Sequence, residues 1–449
     1  MNKQQRVVVV VSILASFVSF LDGSVVNVAL PAIAKELGGG LVTQQWVVDA
    51  YLITLGALIM VAGSLSDLFG RKRILRAGLI GFGVTSILCA IAPTSTFLIL
   101  SRALQGVFGA LLVPSSLALI ISTFSGKAQG KAIGTWTAWT GMAFLFGPLL
   151  GGFFVDTLSW RWIFAINVVP IAVTLFLMRQ LSQSDPAKKV GVDYLGAMLC
   201  AVGLGSTVYA LIEQVHYGWS SPQIYLPLLG GIVLLATFIW HEKRDPEPML
   251  PLSLFKVRNF AYGNLATLAI YGGLSVATFL VVVFVQQVAG YSAIEAGLAL
   301  LPVTLIMFFM SSRFGALASI HGPRLFMTLG PILGAVGFLL MLSTENQVQY
   351  WTQLFPGVVV FGLGLSITVA PLTAAILGSI RSEHAGIGSA VNNAVARIAG
   401  LIAIAGIGLV VGPKLTTFGF HRGLLATATL LLLGGIISFI GIRNEQIKE

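Results

Sequence analysis

Apolar residues in this chain run in long stretches rather than in strict alternation, and polar residues gather in the short breaks between them. Stretches of this length predict helices rather than strands. Fourteen can be placed, near 7–31, 46–66, 74–92, 96–122, 130–155, 162–181, 194–213, 224–240, 260–287, 293–314, 323–342, 350–378, 385–412 and 423–442. A bilayer crossing needs ~20 apolar residues, with ~17 as the lower limit. The eighth stretch, 224–240, has 17. If it and the seventh failed to insert, twelve spans and a long central loop would remain.

Composition agrees with lipid as the solvent. Of 449 residues, 56% are hydrophobic and 9% are charged, against ~25% charged in a soluble domain. So little charge cannot cover a globular surface, which excludes a soluble enzyme and a disordered chain. The net charge of +10 would suggest nucleic acid in a soluble protein. Here the basic residues sit in short loops, so membrane lipids and not nucleic acid are the expected partner. The run from Val7 to about Pro31 is too long for a signal-peptide core and reads as the first span. Cys89 and Cys200 lie inside apolar runs and imply no disulfide framework.

The loops also set an orientation. With the amino terminus in the cytoplasm, the inner segments collect most of the 26 Lys and Arg, among them Arg71, Lys72, Arg73, Arg76, Lys188, Lys189, Lys243 and Arg244. The outer side holds Lys35, Arg161, Lys414 and Arg422. This positive-inside bias predicts an even number of spans and both termini in the cytoplasm, in a cytoplasmic (inner) membrane. The chain also repeats itself weakly. Residues 63–73, GSLSDLFGRKR, align with 315–324, GALASIHGPR, matching Gly63 with Gly315, Gly70 with Gly322 and Lys72 with Arg324. Duplicated helical bundles are a transporter architecture.

Charges at membrane depth are the sharpest functional signal. Of the 16 Asp and Glu, only Asp22 and Asp49 lie well inside apolar runs. Asp22 falls ~22 Å above the start of the first helix, and Asp49 and Arg102 lie near the same depth from the other side. Each buried charge costs ~2.5–3.5 kcal/mol on insertion scales. Two readings are open: an Asp22–Arg102 ion pair that fixes packing, or proton or cation binding at the carboxylates. Arg397 follows Asn392 and Asn393 in the thirteenth stretch. It serves either as a packing residue bonded to backbone carbonyls or as an electrostatic gate or anion contact. Trp136 and Trp139, three residues apart, share one helix face and offer either packing surface or a cation-binding one.

Other chemistries are missing from the sequence. No phosphate-binding P-loop, HExxH zinc pattern or GxSxG elbow occurs, and the five histidines fall in loops or at helix ends. The expectation is therefore no enzyme, no metal and no cofactor, with an ion gradient as the energy source.

Four motifs in order resemble the major facilitator superfamily, in its fourteen-helix drug/proton antiporter branch. They are Leu21-Asp22-Gly23-Ser24-Val25-Val26-Asn27-Val28-Ala29-Leu30-Pro31, with Ser24 where Thr is usual; Gly63 to Arg73; Arg102 with Gln105 and Gly106, with Phe108 where Gly is common; and Gly147-Pro148-Leu149-Leu150-Gly151-Gly152, with Ala143 replacing a leading Gly. The run Trp160 to Asn167 and the run Trp46 to Tyr51 fit the same branch, the latter resembling quaternary-ammonium exporters. Acids found in the thirteenth helix of some divalent-cation exporters are missing here.

The resemblance implies an all-α polytopic membrane protein of the MFS fold. It would have an N-terminal six-helix bundle (1–185), two extra helices (186–255) and a C-terminal six-helix bundle (256–449). Its implied function is proton-coupled export of lipophilic cations, hence antibiotic resistance, by an alternating-access monomer. Asp22, Asp49 and Arg102 would couple protons. Asp22, Asp49, Trp136, Trp139, Asn392 and Arg397 are candidate substrate contacts. Gly63, Asp67, Gly70, Arg71 and Arg73 would form a conformational latch, with Gly147, Pro148, Gly151 and Gly152 as a hinge. Whether a periplasmic adaptor is needed is left open. The alternatives are an exporter of a metabolite, lipid or peptide on the same scaffold, or a membrane sensor or scaffold that does not transport.

Overall fold

The structure, a computed structural model, describes residues 3–124, 126–181, 191–345, 347–381 and 385–444. Every regular element among them is helical. Thirteen helices are long and apolar enough to cross a membrane, and a fourteenth, Trp162–Met178, is apolar but shorter. They fall on the fourteen stretches expected from the sequence. The eighth is longer than its apolar core, 21 residues instead of 17.

The chain divides into two compact units, Met1–Ser206 with Gly230–Met249, and Thr207–Leu229 with Leu250–Glu449. The first holds α1 (Lys3–Leu37), α2 (Gly40–Phe69), α3 (Arg71–Ala90), α4 (Ser95–Thr123), α5 (Gly126–Gly141), α6 (Ala143–Thr157), α7 (Trp162–Ala165) and α8 (Val168–Met178). The division passes through α9 (Tyr194–Tyr217) and α10 (Pro222–Glu242). The second unit holds α11 (Arg258–Gln287), α12 (Ala293–Ala299), α13 (Leu301–His321), α14 (Pro323–Leu340), α15 (Phe355–Leu377), α16 (Ala385–Val411) and α17 (Thr417–Gly441).

Three expected spans are broken in the middle, and local chemistry accounts for the breaks. The fifth separates into α5 and α6 at Met142, beside Gly141, a residue of low helix propensity. The tenth separates into α12 and α13 at Leu300, where Pro302 opens the new helix. The sixth separates at Ile166 and Asn167. Pro170 has no N–H to give the Ile166 carbonyl, which accepts from the Val169 amide at 3.3 Å instead.

The two units repeat one packing scheme. In the first, α1 packs on α4 and α6, and α4 on α2 and α3. In the second, α11 packs on α15 and α16, and α15 on α13 and α14. The closing helices follow suit, α8 against α1 and α3, and α17 against α11 and α14.

The sequence repeat reappears as one turn used twice. Gly70 joins α2 to α3 with φ 92° and ψ 128°, and Gly322 joins α13 to α14 with φ 84° and ψ 152°. This backbone region is essentially open to glycine alone. Just beyond each glycine, a basic side chain bonds a carbonyl near the end of α8 or of α17. Lys72 donates to the Leu181 carbonyl, and Arg324 Nε donates to the Phe439 carbonyl at 2.9 Å.

Candidate functional site

Asp22 and Arg102 are both buried and form an ion pair at 2.6 Å. A planar guanidinium with five donors can serve several acceptors at once, and here it does. Nη1 donates to Asp22 Oδ2 and to Gln105 Oε1, each at 2.6 Å, while Nε donates to the Val47 carbonyl at 3.0 Å. The plane lies over the Tyr51 ring at 4.3 Å and nearer to it than to Phe164, at 5.6 Å. Such contacts stabilise a desolvated cation.

The second oxygen of Asp22 faces two amides. Oδ1 accepts from Gln105 Nε2 and from Asn167 Nδ2, both at 3.0 Å. Ser86 Oγ lies against the same two amides at 2.8 and 3.3 Å. The Cys89 thiol donates to Gln105 Oε1 at 3.5 Å. Helices α1, α3 and α4, the backbone of α2 and the break between α7 and α8 thus meet at one carboxylate. Removing one member of a buried ion pair costs ~3–5 kcal/mol because the other is left uncompensated.

The segment Trp160 to Asn167 is laid along this network from end to end. Trp160 Nε1 and Arg161 Nη1 each donate to the Glu36 carboxylate at 2.6 Å, clasping the end of α1. Phe164 lies against Arg102 and Asn167 reaches Asp22. Sequence reading used this run only as a family marker and missed Asn167 and Ser86. A lone Asn inside an apolar stretch was the available signal.

Asp49 is fully buried, and neither of its oxygens has a hydrogen-bond partner. It makes no bond to Arg102, so the structure does not join it to the Asp22 network. On α2, Val47 and Tyr51 turn toward Arg102, whereas Asp49 lies ~200° around the helix from Val47. A carboxylate so placed needs a proton or a cation to compensate it.

The other candidates are spread out. Trp136 Nε1 donates to the Ser12 carbonyl at 3.2 Å and to Ser16 Oγ at 3.1 Å, tying α5 to α1. Trp139, expected to share its face, is 57% exposed. A separation of three residues leaves ~60° between side chains, enough to put one on α1 and the other outside. In the second unit, Asn392 Nδ2 donates to Asn264 Oδ1 at 3.1 Å and Thr267 Oγ1 at 2.9 Å. Arg397 is half-buried on the same helix, within electrostatic range of Tyr271.

Gly147 and Gly151, two of the residues expected to form a hinge, lie where α6 packs on α1. A side-chain carbon on Gly147 would fall 1.9 Å from Ser24 Oγ, and one on Gly151 would fall 2.9 Å from the Val25 carbonyl. Gly152 is buried beside them, and Pro148 is half-buried. Ser24 Oγ lies 3.0 Å from both the Leu21 and Ala143 carbonyls. Of the residues expected to form a latch, Gly63 has open space around its α-carbon, Gly70 makes the turn, Arg71 is half-buried and Arg73 is exposed. The Asp67 side chain lies outside the described residues.

One group of donors could hold a metal ion. Atoms of Asp193, His241 and Asp245 lie within 4.8 Å of one another. His241 Nε2 already sits 2.9 Å from Asp193 Oδ1 and 3.4 Å from Asp245 Oδ2, an ion-paired clasp across the α9–α10 ends. Burial opposes ionisation of Asp193. The Gly196 amide and His241 outweigh it and hold the carboxyl below the usual carboxylate range.

Comparison with known proteins adds the following. The Major Facilitator Superfamily profile matches residues 12–404. The multidrug resistance protein Stp of Mycobacterium tuberculosis is 33% identical over 423 residues, covering 93% of this chain and 78% of that protein. The multidrug transporter protein MdtP of Bacillus subtilis is 33% identical over 404 residues, covering 90% and 74%. The methylenomycin A resistance protein of Bacillus subtilis is 32% identical, covering 92% and 88%. Among solved structures, a peptide transporter POT in complex with sulfate aligns with a TM-score of 0.73 at 14% identity, over 98% of this chain and 94% of that one. A D-xylose–proton symporter aligns with a TM-score of 0.70 at 14% identity, over 98% and 99%. These two show the fold alone.

Proposed function

The chain belongs to the Major Facilitator Superfamily of membrane transporters, and from that premise we propose that it exports lipophilic cationic drugs in exchange for protons. The observation that carries this reading is the Asp22 carboxylate, buried in an apolar bundle yet held by Arg102, Gln105 and Asn167. A charge so expensive to bury persists where it pairs, faces water or carries an ion. Resistance and multidrug proteins among the relatives support drugs as the cargo class.

In this mechanism Asp22 takes a proton on the outer side and releases it on the inner side. Protonation breaks its charge balance with Arg102, and that change biases the transporter between its two access states. Asp49, buried without a donor, supplies the negative charge that a cationic cargo needs. Proton at Asp22 and cargo at Asp49 then favour opposite access states, which is what couples the exchange. The membrane potential contributes ~2.3 kcal/mol per net charge per 100 mV. The positive-inside bias of the loops supports both termini in the cytoplasm, in a cytoplasmic (inner) membrane.

Ethidium transport into proteoliposomes under an imposed pH gradient tests the reading. Wild type should accumulate dye, Asp22→Asn should abolish gradient-driven uptake, and Asp49→Asn should weaken uptake of cations in particular. If wild type moves no dye while the liposomes hold their gradient, cationic-drug export is wrong. Gradient-driven uptake of labelled neutral metabolites or lipids would then identify the cargo.

A further inference from the structure

Around Asp22 every partner is a donor. Arg102 has only N–H groups to offer. Gln105 is committed on both sides: its Nε2 is shared by Asp22 and Ser86, and its Oε1 by Arg102 and Cys89. Turning Gln105 over would break all four contacts. Asn167 differs. Its Nδ2 serves Asp22 and Ser86, but its Oδ1 is buried with no hydrogen-bond partner.

An unsatisfied acceptor beside a carboxylate is costly while that carboxylate is ionised. It becomes useful once the carboxylate carries a proton, because an O–H needs an acceptor. The Asn167 position also has freedom to respond, since it lies in the two-residue break between α7 and α8. We propose that Asn167 is a two-way positioning residue for proton exchange at Asp22, donating through Nδ2 to the carboxylate and turning its amide to accept through Oδ1 from the carboxylic acid. This rests on Asp22 being the proton site.

The step is a proton transfer. A proton from solvent bonds to Asp22 Oδ1, and the bond from Asn167 Nδ2 to that oxygen is lost. The amide rotates about its last side-chain bond, and the new Asp22 O–H points at Asn167 Oδ1. The Ser86 hydroxyl, which can donate as well as accept, follows the rotated amide. Release of the proton reverses each change. The charged and titratable groups around the carboxylate are Arg102 on α4, Tyr51 on α2 over that guanidinium, and Cys89 on α3 behind Gln105. None of them supplies the acceptor.

The test is isotope-edited infrared titration of the full-length protein in lipid, with carbonyl-labelled asparagine. In wild type, the Asn167 side-chain carbonyl band, identified by its absence in Asn167→Ser, should move to lower frequency with the same midpoint as the Asp22 carboxylic-acid band. A carbonyl band that does not move when Asp22 protonates overturns the proposal, and is read on the wild-type protein once Asn167→Ser has assigned it. Asn167→Leu gives a second readout. Loss of a partner that serves both forms leaves the midpoint within about half a pH unit while slowing proton-driven transport at least tenfold. A midpoint displaced beyond that range marks the loss of a mere donor and also refutes the inference. Asn167→Ser, whose hydroxyl both donates and accepts, should recover part of the rate. If the acid band survives in Asp22→Asn, the assignment of Asp22 as the proton site fails, and this inference fails with it.

Discussion

The hydroxyl of Ser24 on α1 occupies the place that a side chain on Gly147 of α6 would need. The first carbon of such a side chain would lie 1.9 Å from Ser24 Oγ and 2.8 Å from Ser24 Cβ. Small residues let membrane helices approach closely, and here the approach sits two residues along α1 from Asp22. Gly147→Ala should therefore cost ~1–3 kcal/mol by overpacking. It should also reduce drug efflux by displacing Asp22. Replacing Ser24 by Ala does not clear the clash, because Cβ remains, whereas Ser24→Gly does. Thermal unfolding of both single variants and of the Ser24→Gly/Gly147→Ala pair measures the coupling. The pair should be more stable than Gly147→Ala alone, and strict additivity would show that the two helices do not meet this way.

The two intramembrane acids should respond to apolar replacement with opposite signs. Asp22→Leu strands Arg102 without its counter-charge and should cost ~3–5 kcal/mol. Asp49→Leu removes two buried acceptors that have no donor and should stabilise by ~1–3 kcal/mol; under the proposed function it should also weaken uptake of cations. Melting of the two variants in lipid nanodiscs decides this. A loss of stability in Asp49→Leu matching that of Asp22→Leu would mean that Asp49 has a structural partner.

The helices were legible in the sequence because lipid demands long apolar runs, and run length survives without any knowledge of packing. The breaks inside runs were harder to read. Pro170 was visible, but its effect depends on which carbonyl it deprives, and that places Asn167 at the junction of α7 and α8. Depth put Asp22 and Arg102 within reach of each other, and their pairing was one of two readings left open. Its exclusion of Asp49 was not, because Asp49 lies at a similar depth and only helix rotation separates it from Arg102. The same rotation parts Trp136 from Trp139. Depth is a linear property of the chain, whereas facing depends on neighbours that sequence spacing does not name.

Gly70 and Gly322 give a prediction about the repeat. Both hold positive φ with extended ψ, a conformation that costs a side-chain-bearing residue ~1–3 kcal/mol. Gly70→Ala and Gly322→Ala should each lower stability by about that amount. Gly322→Ala carries an extra penalty, since its new carbon would fall 2.2 Å from the Asn444 side chain. Asn444→Ala should remove only the extra part. Chemical denaturation of the three single variants and the Gly322→Ala/Asn444→Ala pair checks the partition. Full stability in Gly70→Ala would exclude the turn conformation.

Arg102 can be tested by separating its charge from its shape. Lysine keeps the positive charge opposite Asp22 but concentrates its donors at one nitrogen. It cannot reach the Val47 carbonyl, Asp22 and Gln105 together, as the guanidinium does through Nε and Nη1. It also loses the flat face against Tyr51. Arg102→Lys should therefore cost ~1–3 kcal/mol from the lost bonds, less than the ~3–5 kcal/mol of Arg102→Ala, which also strands Asp22. Adding Asp22→Asn should rescue part of the loss in Arg102→Ala, since no charge is then left unpaired, but should worsen Arg102→Lys, where it creates one. Unfolding measured on these four proteins and wild type gives that order. If lysine were as stable as arginine, charge alone would suffice, and the bent three-way contact would contribute nothing.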